Sequence, residues 1–239
     1  VLISKDVHNE IIQKQHDETN AKTYINKIRD LTQDLPGQTG IIYFQNAAGK
    51  ILYTDFVQDL SKFARNLLNS KSSKWQNLQN ATEQIHYELT GNALLAKLMM
   101  KAKGIRKTEV LPFGLYIRNG KYVAEKNSLH PQEKPLLKFK SYTQALKALN
   151  FVKSQEEFQN PENLSTKLEL KKRSEIWKTD GRTLGEKSFL ILEKGKVISF
   201  GFYELYHQIQ TKAKLNQLKI NLPGNSAELE NDLKLSLLK

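Results

Sequence analysis

Leu35-Pro36-Gly37-Gln38-Thr39-Gly40-Ile41-Ile42-Tyr43-Phe44, then Gln45-Asn46-Ala47-Ala48-Gly49-Lys50, then Ile51-Leu52-Tyr53-Thr54-Asp55-Phe56, is the stretch on which the fold turns. Two runs rich in β-branched and aromatic residues flank a short loop containing Gly49, which is the pattern of a β-hairpin. From Val57 the apolar period lengthens to three and four residues (Val57, Leu60, Phe63, Ala64, Leu67, Leu68), the mark of a helix face closing near Asn69. A polar loop is expected over Ser70–Asn80, a strand over Gln84–Leu89, and a helix over Ala93–Lys103 that stops at Gly104. Strands and helices in the order β-β-α-β-α define an α+β fold.

Working outward, residues 5–35 carry apolar residues at helical spacing and read as an N-terminal helical arm, with polar Gln15–Asn20 dividing it. Downstream, Leu115–Arg118 and Lys121–Ala124 flank Asn119-Gly120, a pair suited to the positive φ values of a type I′ turn. Pro131 and Pro135 mark a linker, and Ser141–Lys153 presents Ala145, Leu146, Leu149 and Val152 on one helical face. Gln155–Ser165 is polar and carries Pro161, a second expected linker. A last hairpin, Ser188–Leu192 with Lys196–Tyr203, precedes two helical segments, Tyr206–Leu218 and Ser226–Leu238. The expected organisation is an arm (1–35), a first α+β domain (36–126), a helical linker region (127–165) and a C-terminal hairpin-and-helix α+β unit (166–239).

The 239 residues carry 37 Lys and Arg against 25 Asp and Glu, a formal charge of +12, and no cysteine. Without cysteine there is no disulfide scaffold, no thiolate zinc or iron–sulfur site and no thiol nucleophile. No apolar run approaches the roughly 20 residues of a membrane-spanning helix. Val1–Asp6 shows no signal-peptide pattern, so a cytoplasmic protein with a polyanionic partner is expected. The five histidines (8, 16, 86, 130, 207) are scattered and build no metal-ligand spacing. Neither phosphate-binding glycine motif, Gly-x-x-x-x-Gly-Lys-Ser/Thr or Gly-x-Gly-x-x-Gly, is present. Asp180 with Glu186-Lys187 approaches a restriction-type arrangement, but the lysine adjoins the acid where two residues of separation are needed; a hairpin flank explains these residues as well.

Residues 36–107 resemble the GIY-YIG nuclease domain of the excision-nuclease type. The matching segments are Leu35–Phe44, Gly49–Phe56 and Glu88-Leu89-Thr90-Gly91-Asn92-Ala93-Leu94-Leu95-Ala96. The chain is similar to the version fused behind a DnaQ-like proofreading exonuclease, whose later hairpin resembles Gly181-Arg182, Glu186-Lys187-Ser188, Gly195-Lys196 and Phe200-Gly201-Phe202. The resemblance implies a small sheet flanked by helices, DNA as partner, a role in DNA repair or replication, and association with a DnaQ-like exonuclease domain in the full-length protein. The cysteine cluster common in those relatives is missing.

The family chemistry uses phenols to activate water, a guanidinium to hold the phosphate and a glutamate to hold one divalent metal. Its second-strand tyrosine falls on Tyr53. Its first-strand tyrosine falls on Ile42, with Tyr43 one place along and therefore on the other sheet face. The strand-end Gly and Lys become Asp55 and Phe56. The helix arginine falls on Phe63, with Arg65 about 200° further around the helix. The metal glutamate falls on Met100 or Lys101, neither of which offers the oxygen that magnesium requires. The expectation is a degenerate nuclease scaffold with Tyr53 as a vestige of catalysis and no metal site; Mg or Mn enters only if an active structure-specific endonuclease survives.

Charge places the binding surface. Residues 94–126 hold Lys97, Lys101, Lys103, Arg106, Lys107, Arg118, Lys121 and Lys126 against Glu109 and Glu125, a local excess of +6. With Arg65, Lys71, Lys74 and Trp75 upstream, and Tyr116 and Tyr122 within the block, this pattern suits phosphate contact with base stacking. The nucleic-acid candidates are therefore Arg65, Lys71, Lys74, Lys97, Lys101, Lys103, Arg106, Lys107, Arg118 and Lys121. Whether the two tyrosines face nucleic acid or core depends on hairpin register. The competing reading from another class is a protein-interaction module whose basic face meets an acidic partner.

Overall fold

The computed structural model describes residues 13–14, 22–105, 107–204, 212–224 and 227–238. The fold is α+β, with antiparallel sheets and short helices, and it divides into two compact units, Val1–Ala96 and Lys97–Lys239. Among the described residues no helix is long and apolar enough to cross a membrane.

In the first unit, residues 22–32 form helix α1, within the expected arm. Tyr24 on α1 donates its hydroxyl to the Leu68 carbonyl at 2.8 Å, and Ile28 enters the core. Strands β1 (Gly40–Gln45), β2 (Ile51–Val57) and β3 (Gln84–Leu89) form an antiparallel sheet in the order β2-β1-β3. The central strand is buried, as a strand covered on both faces must be. Gly40 is required by packing: a Cβ there would lie 2.6 Å from the Glu88 carbonyl oxygen and 2.9 Å from Leu60 Cδ1. Helix α2 (Leu60–Leu68) starts where Asp59 accepts from the Lys62 amide, and it buries Leu60, Ala64, Leu67 and Leu68 against Ile42 and Phe44. Each fully buried leucine of this kind contributes about 1.5–3 kcal/mol.

The expected Ser70–Asn80 loop contains helix α3 (Ser73–Ala81). Its apolar face is thin, Trp75 and Leu78, which hides it from a hydrophobic count. A buried glutamine completes it: Gln79 Nε2 donates to the Leu67 carbonyl at 2.7 Å and the Ser70 carbonyl at 2.8 Å, so α3 is tied to the end of α2 by satisfied polar atoms.

Helix α4 (Ala93–Ala102) ends before Gly104, whose φ of 72° is the left-handed value common just beyond helix ends. In the second unit, β4 (Phe113–Arg118), β5 (Lys121–Lys126) and β6 (Leu137–Phe139) form a sheet in the order β5-β4-β6. The Asn119-Gly120 turn takes φ of 48° and 69°, the type I′ signature. The sequence groups this hairpin with residues 36–126. In the structure it belongs to the second unit, because Leu115 and Tyr122 share a core with Leu137, Ala145, Leu149 and Val152, the last three from α5 (Tyr142–Ser154).

The polar stretch expected as a second linker starts helix α6 (Pro161–Lys167). Asn160 caps it, accepting from the Glu162 amide at 3.0 Å, and Pro161 occupies the first turn, where its missing N–H costs nothing. Strands β7 (Ile176–Asp180), β8 (Glu186–Glu193), β9 (Lys196–Glu204) and β10 (Ile220–Asn221) form a sheet in the order β10-β9-β8-β7. Helix α7 (Lys212–Leu218) places Leu215 on Phe189 and Ile191, and α8 (Glu230–Ser236) buries Leu233. Residues 206–211 of the helix expected at Tyr206–Leu218 lie outside the described residues.

Candidate functional site

The register of the first sheet determines where the matched phenols point. Phe44 pairs with Tyr53 and Ile42 with Asp55, so these four share one face; Tyr43 pairs with Thr54 on the other. The two phenols therefore cannot converge on one phosphate. Tyr53 stands edge-on to Phe44 at 6.0 Å and to Trp75 at 5.4 Å, and its hydroxyl donates to Asp55 Oδ2 at 2.9 Å. Burial first, then the hydrogen bond and charge of Asp55, push its pKa well above the ordinary tyrosine range. A phenol so placed holds its proton, the opposite of what a general base needs. Tyr43 is 7% exposed and donates to Glu88 Oε1 at 2.8 Å; burial and Glu88 raise its pKa in the same direction.

The remaining positions carry apolar or committed side chains. Ile42 is fully buried, and Phe63 packs on Phe44 with ring centres 6.5 Å apart. Arg65 is exposed on the last turn of α2. Met100 is 3% exposed and Lys101 pairs with Glu228. Among the described residues no group of three or more His, Cys, Asp or Glu comes together that could hold a metal ion. The donor set at the matched positions, a buried thioether or an ion-paired ammonium, does not fit a divalent cation.

The basic block of residues 94–126 reads differently in space. Lys97, 16% exposed, lies 2.7 Å from Glu109 Oε2 and 2.6 Å from Asp232 Oδ1. Burial pulls its pKa down, but hydrogen bonds to Asp232 and Glu109 outweigh that and hold it above the ordinary lysine range. Arg118 lies 3.0 Å from Glu125 Oε2 and 3.0 Å from Glu133 Oε2 and stacks over Tyr116. His130 Nε2 lies 2.7 Å from the same Glu125 oxygen. Tyr116 and Tyr122 face the interior: their hydroxyls donate to Asn127 Oδ1 at 2.9 Å and the Phe158 carbonyl at 2.8 Å. They are core residues and not a stacking platform. Lys103, Lys107 and Lys121 are exposed, and Arg106 lies outside the described residues. In the C-terminal hairpin, Lys187 pairs with Asp180 at 2.6 Å and Arg182 with Glu186, so the restriction-type acids are engaged in local ion pairs.

The first unit holds a surface of another character. Residues 60–82, covering α2 and α3, contain Lys62, Arg65, Lys71 and Lys74 and no Asp or Glu. All four cations are exposed, and among the described residues no carboxylate pairs with any of them. Lys74 Nζ lies 4.5 Å from the centre of the Trp75 ring, which is half-buried against Tyr53. Exposed Asn66, Gln76, Asn77 and Asn80 add neutral hydrogen-bond donors. The candidates drawn from sequence include three of these cations and omit Lys62; counting acids per segment, in place of net charge per block, finds it.

Set against protein-family models, curated proteins and solved structures, the chain matches none.

Proposed function

We propose that this protein binds nucleic acid, DNA in the first place, through the acid-free surface of α2 and α3, on a GIY-YIG-like scaffold that has lost its nuclease centre. The observation that carries the reading is the run of residues 60–82, with Lys62, Arg65, Lys71 and Lys74 exposed and no carboxylate within it. Phosphate oxygens need cations that are not already matched, and backbone contact of this kind is independent of sequence. Trp75 is engaged with Tyr53 and Lys74, so affinity comes from charge with little base stacking. The β-β-α-β-α order implied by the resemblance recurs with α3 added, which supports a scaffold of that kind; a role beside a DnaQ-like exonuclease in repair or replication rests on the sequence resemblance alone. The test is DNA affinity, by fluorescence anisotropy, of a variant in which Lys62, Arg65, Lys71 and Lys74 are all replaced by Gln. Loss of binding is expected; affinity equal to that of the parent protein overturns the reading.

A second reading, residual metal-dependent nicking, would use the Asp55 carboxylate, 2.9 Å from the Tyr53 hydroxyl, as an oxygen ligand for the metal, against the effect of the same contact in keeping the phenol protonated. Nicking in Mg or Mn that disappears in Tyr53→Phe establishes it. Absence of nicking in the parent protein removes it.

A further inference from the structure

Two reverse turns of the second unit are clamped together, and each carries lysines at its tip. In the first, the Arg173 amide donates to the Leu170 carbonyl at 2.8 Å and leaves Lys171 and Lys172 at the centre of the turn. In the second, which joins β8 to β9, Lys194 and Gly195 take φ of 47° and 75°, and Glu193 faces Lys196 across the hairpin. The Gly195 amide donates to the Arg173 carbonyl at 2.9 Å, and the Lys194 amide to Ser174 Oγ at 3.0 Å. A Cβ on Gly195 would lie 2.5 Å from the Leu170 carbonyl oxygen, so only glycine lets the turns meet this closely. Arg173 braces the junction: its guanidinium donates to the Lys167 carbonyl at 2.9 Å and to Glu175 Oε1 at 3.0 Å.

The charges at the junction sort by what they touch. Lys171, Lys194 and Lys196 are exposed, and among the described residues no carboxylate pairs with them. Lys172 is 83% exposed and lies 3.3 Å from Glu169 Oε2, a surface pair of the kind that contributes little. Of the remaining acids, Glu175 is taken by Arg173 and by Trp177 Nε1 at 2.9 Å, and Glu193 stands exposed at the rim. Lys194 is the informative residue. The first central position of such a turn suits Asn, Asp or Gly, and Asn119 holds it in the β4–β5 hairpin. A lysine there is strained, and its ammonium makes no ion pair among the described residues that would offset the strain. Leu170, Leu192 and Val197, the apolar residues flanking the tips, are buried. The junction therefore presents cations without exposed apolar side chains between them, which suits phosphates in water and not insertion into a lipid layer.

We infer that Lys171, Lys194 and Lys196, with Lys172 beside them, form a second contact for the phosphodiester backbone of nucleic acid, carried by the second unit. The inference rests on the nucleic-acid reading above for its ligand, but uses none of the α2–α3 cations. Three phosphate contacts add to affinity and to its salt dependence without reading base sequence.

The test compares the full chain with its Lys171→Gln/Lys194→Asn/Lys196→Gln variant by anisotropy of a labelled DNA duplex across a salt series. The variant is expected to bind roughly tenfold more weakly or worse at low salt, and to lower the magnitude of the slope of log K against log salt by about 2.7. Lys194→Asn alone is expected to melt at a higher temperature than the parent while lowering the slope by about 0.9, a combination that a structural role for the lysine does not produce. Lys126→Gln/Lys147→Gln/Lys153→Gln, the same charge change at exposed lysines elsewhere, controls for net charge and moves the slope little. Affinity and slope equal to the parent's in the turn variant overturn the inference, as does an equal loss in the control. Loss in the turn variant, with none when Lys62, Arg65, Lys71 and Lys74 are replaced by Gln, upholds the inference and removes the α2–α3 surface. The opposite pattern removes the inference and keeps that surface. A parent that binds vesicles of phosphatidylserine and phosphatidylcholine but no DNA overturns both.

Discussion

Tyr53 donates its hydroxyl to Asp55 two residues along the same edge strand, at 2.9 Å, and Tyr43 lies on the opposite face of the sheet. The phenol best placed to act on a phosphodiester is thus engaged with a neighbouring carboxylate, and its expected companion is turned away. Tyr53→Phe removes one part-buried hydrogen bond, a loss of about 1 kcal/mol read from urea denaturation. DNA affinity is expected to stay at the parent value, because the contact is internal.

Lys97 belongs by sequence to the basic block expected to meet nucleic acid; in the structure it is the shared partner of Glu109 and Asp232. Lys97→Met leaves the largely buried Asp232 without the ammonium that pairs with it and Glu109 with Lys140 alone. The expected cost is roughly 2–4 kcal/mol, somewhat below that of a fully buried broken pair because the site keeps some exposure. Thermal denaturation measures it. A variant as stable as the parent but weaker in DNA binding restores the contact reading.

The same cluster has a pH signature. Burial pushes the Glu109 carboxyl up, but hydrogen bonds from Lys97 and Lys140 outweigh it and hold the pKa below the ordinary glutamate range. A carboxyl depressed on folding contributes stability that is present above its unfolded value and lost as pH falls through its folded value. Asp232 has the opposite sign. Its burial outweighs the help of Lys97 and raises it, so its contribution is present below its unfolded value and lost as pH rises through the folded one. Melts between about pH 3 and pH 7 should therefore show Glu109→Gln less stable than the parent near neutrality and converging on it in acid. A gap independent of pH contradicts the assignment.

Gln79 joins α3 to α2 through two carbonyls. Gln79→Ala leaves the Leu67 and Ser70 carbonyls without that donor and costs about 1–3 kcal/mol by urea denaturation. DNA affinity falls with it, since Lys71 and Lys74 depend on where α3 sits. Unchanged stability and unchanged affinity together would show that the glutamine does not set the surface.

What the sequence made legible follows physical lines. The hairpin around Asn46–Gly49, the type I′ turn at Asn119-Gly120 and the face change between Ile42 and Tyr43 are local consequences of backbone sterics and strand alternation, and the structure contains all three. Helices α3 and α6 are hidden in the sequence because a buried glutamine and an Asn-Pro cap stand where apolar periodicity stands elsewhere. The basic block is illegible for another reason. Charge summed along the chain takes no account of Asp232 and Glu228, which reach Lys97 and Lys101 across 135 and 127 residues of sequence. Helices α2 and α3, which hold no acid of their own, keep their excess once the chain folds.

The most direct test of that conclusion is the salt dependence of DNA binding in four single variants, Lys62→Gln, Arg65→Gln, Lys71→Gln and Lys74→Gln. If each cation neutralises one phosphate, each variant lowers the magnitude of the slope of log K against log salt by about 0.9. Slopes identical to that of the parent in all four would show that nucleic acid, if bound, is held elsewhere.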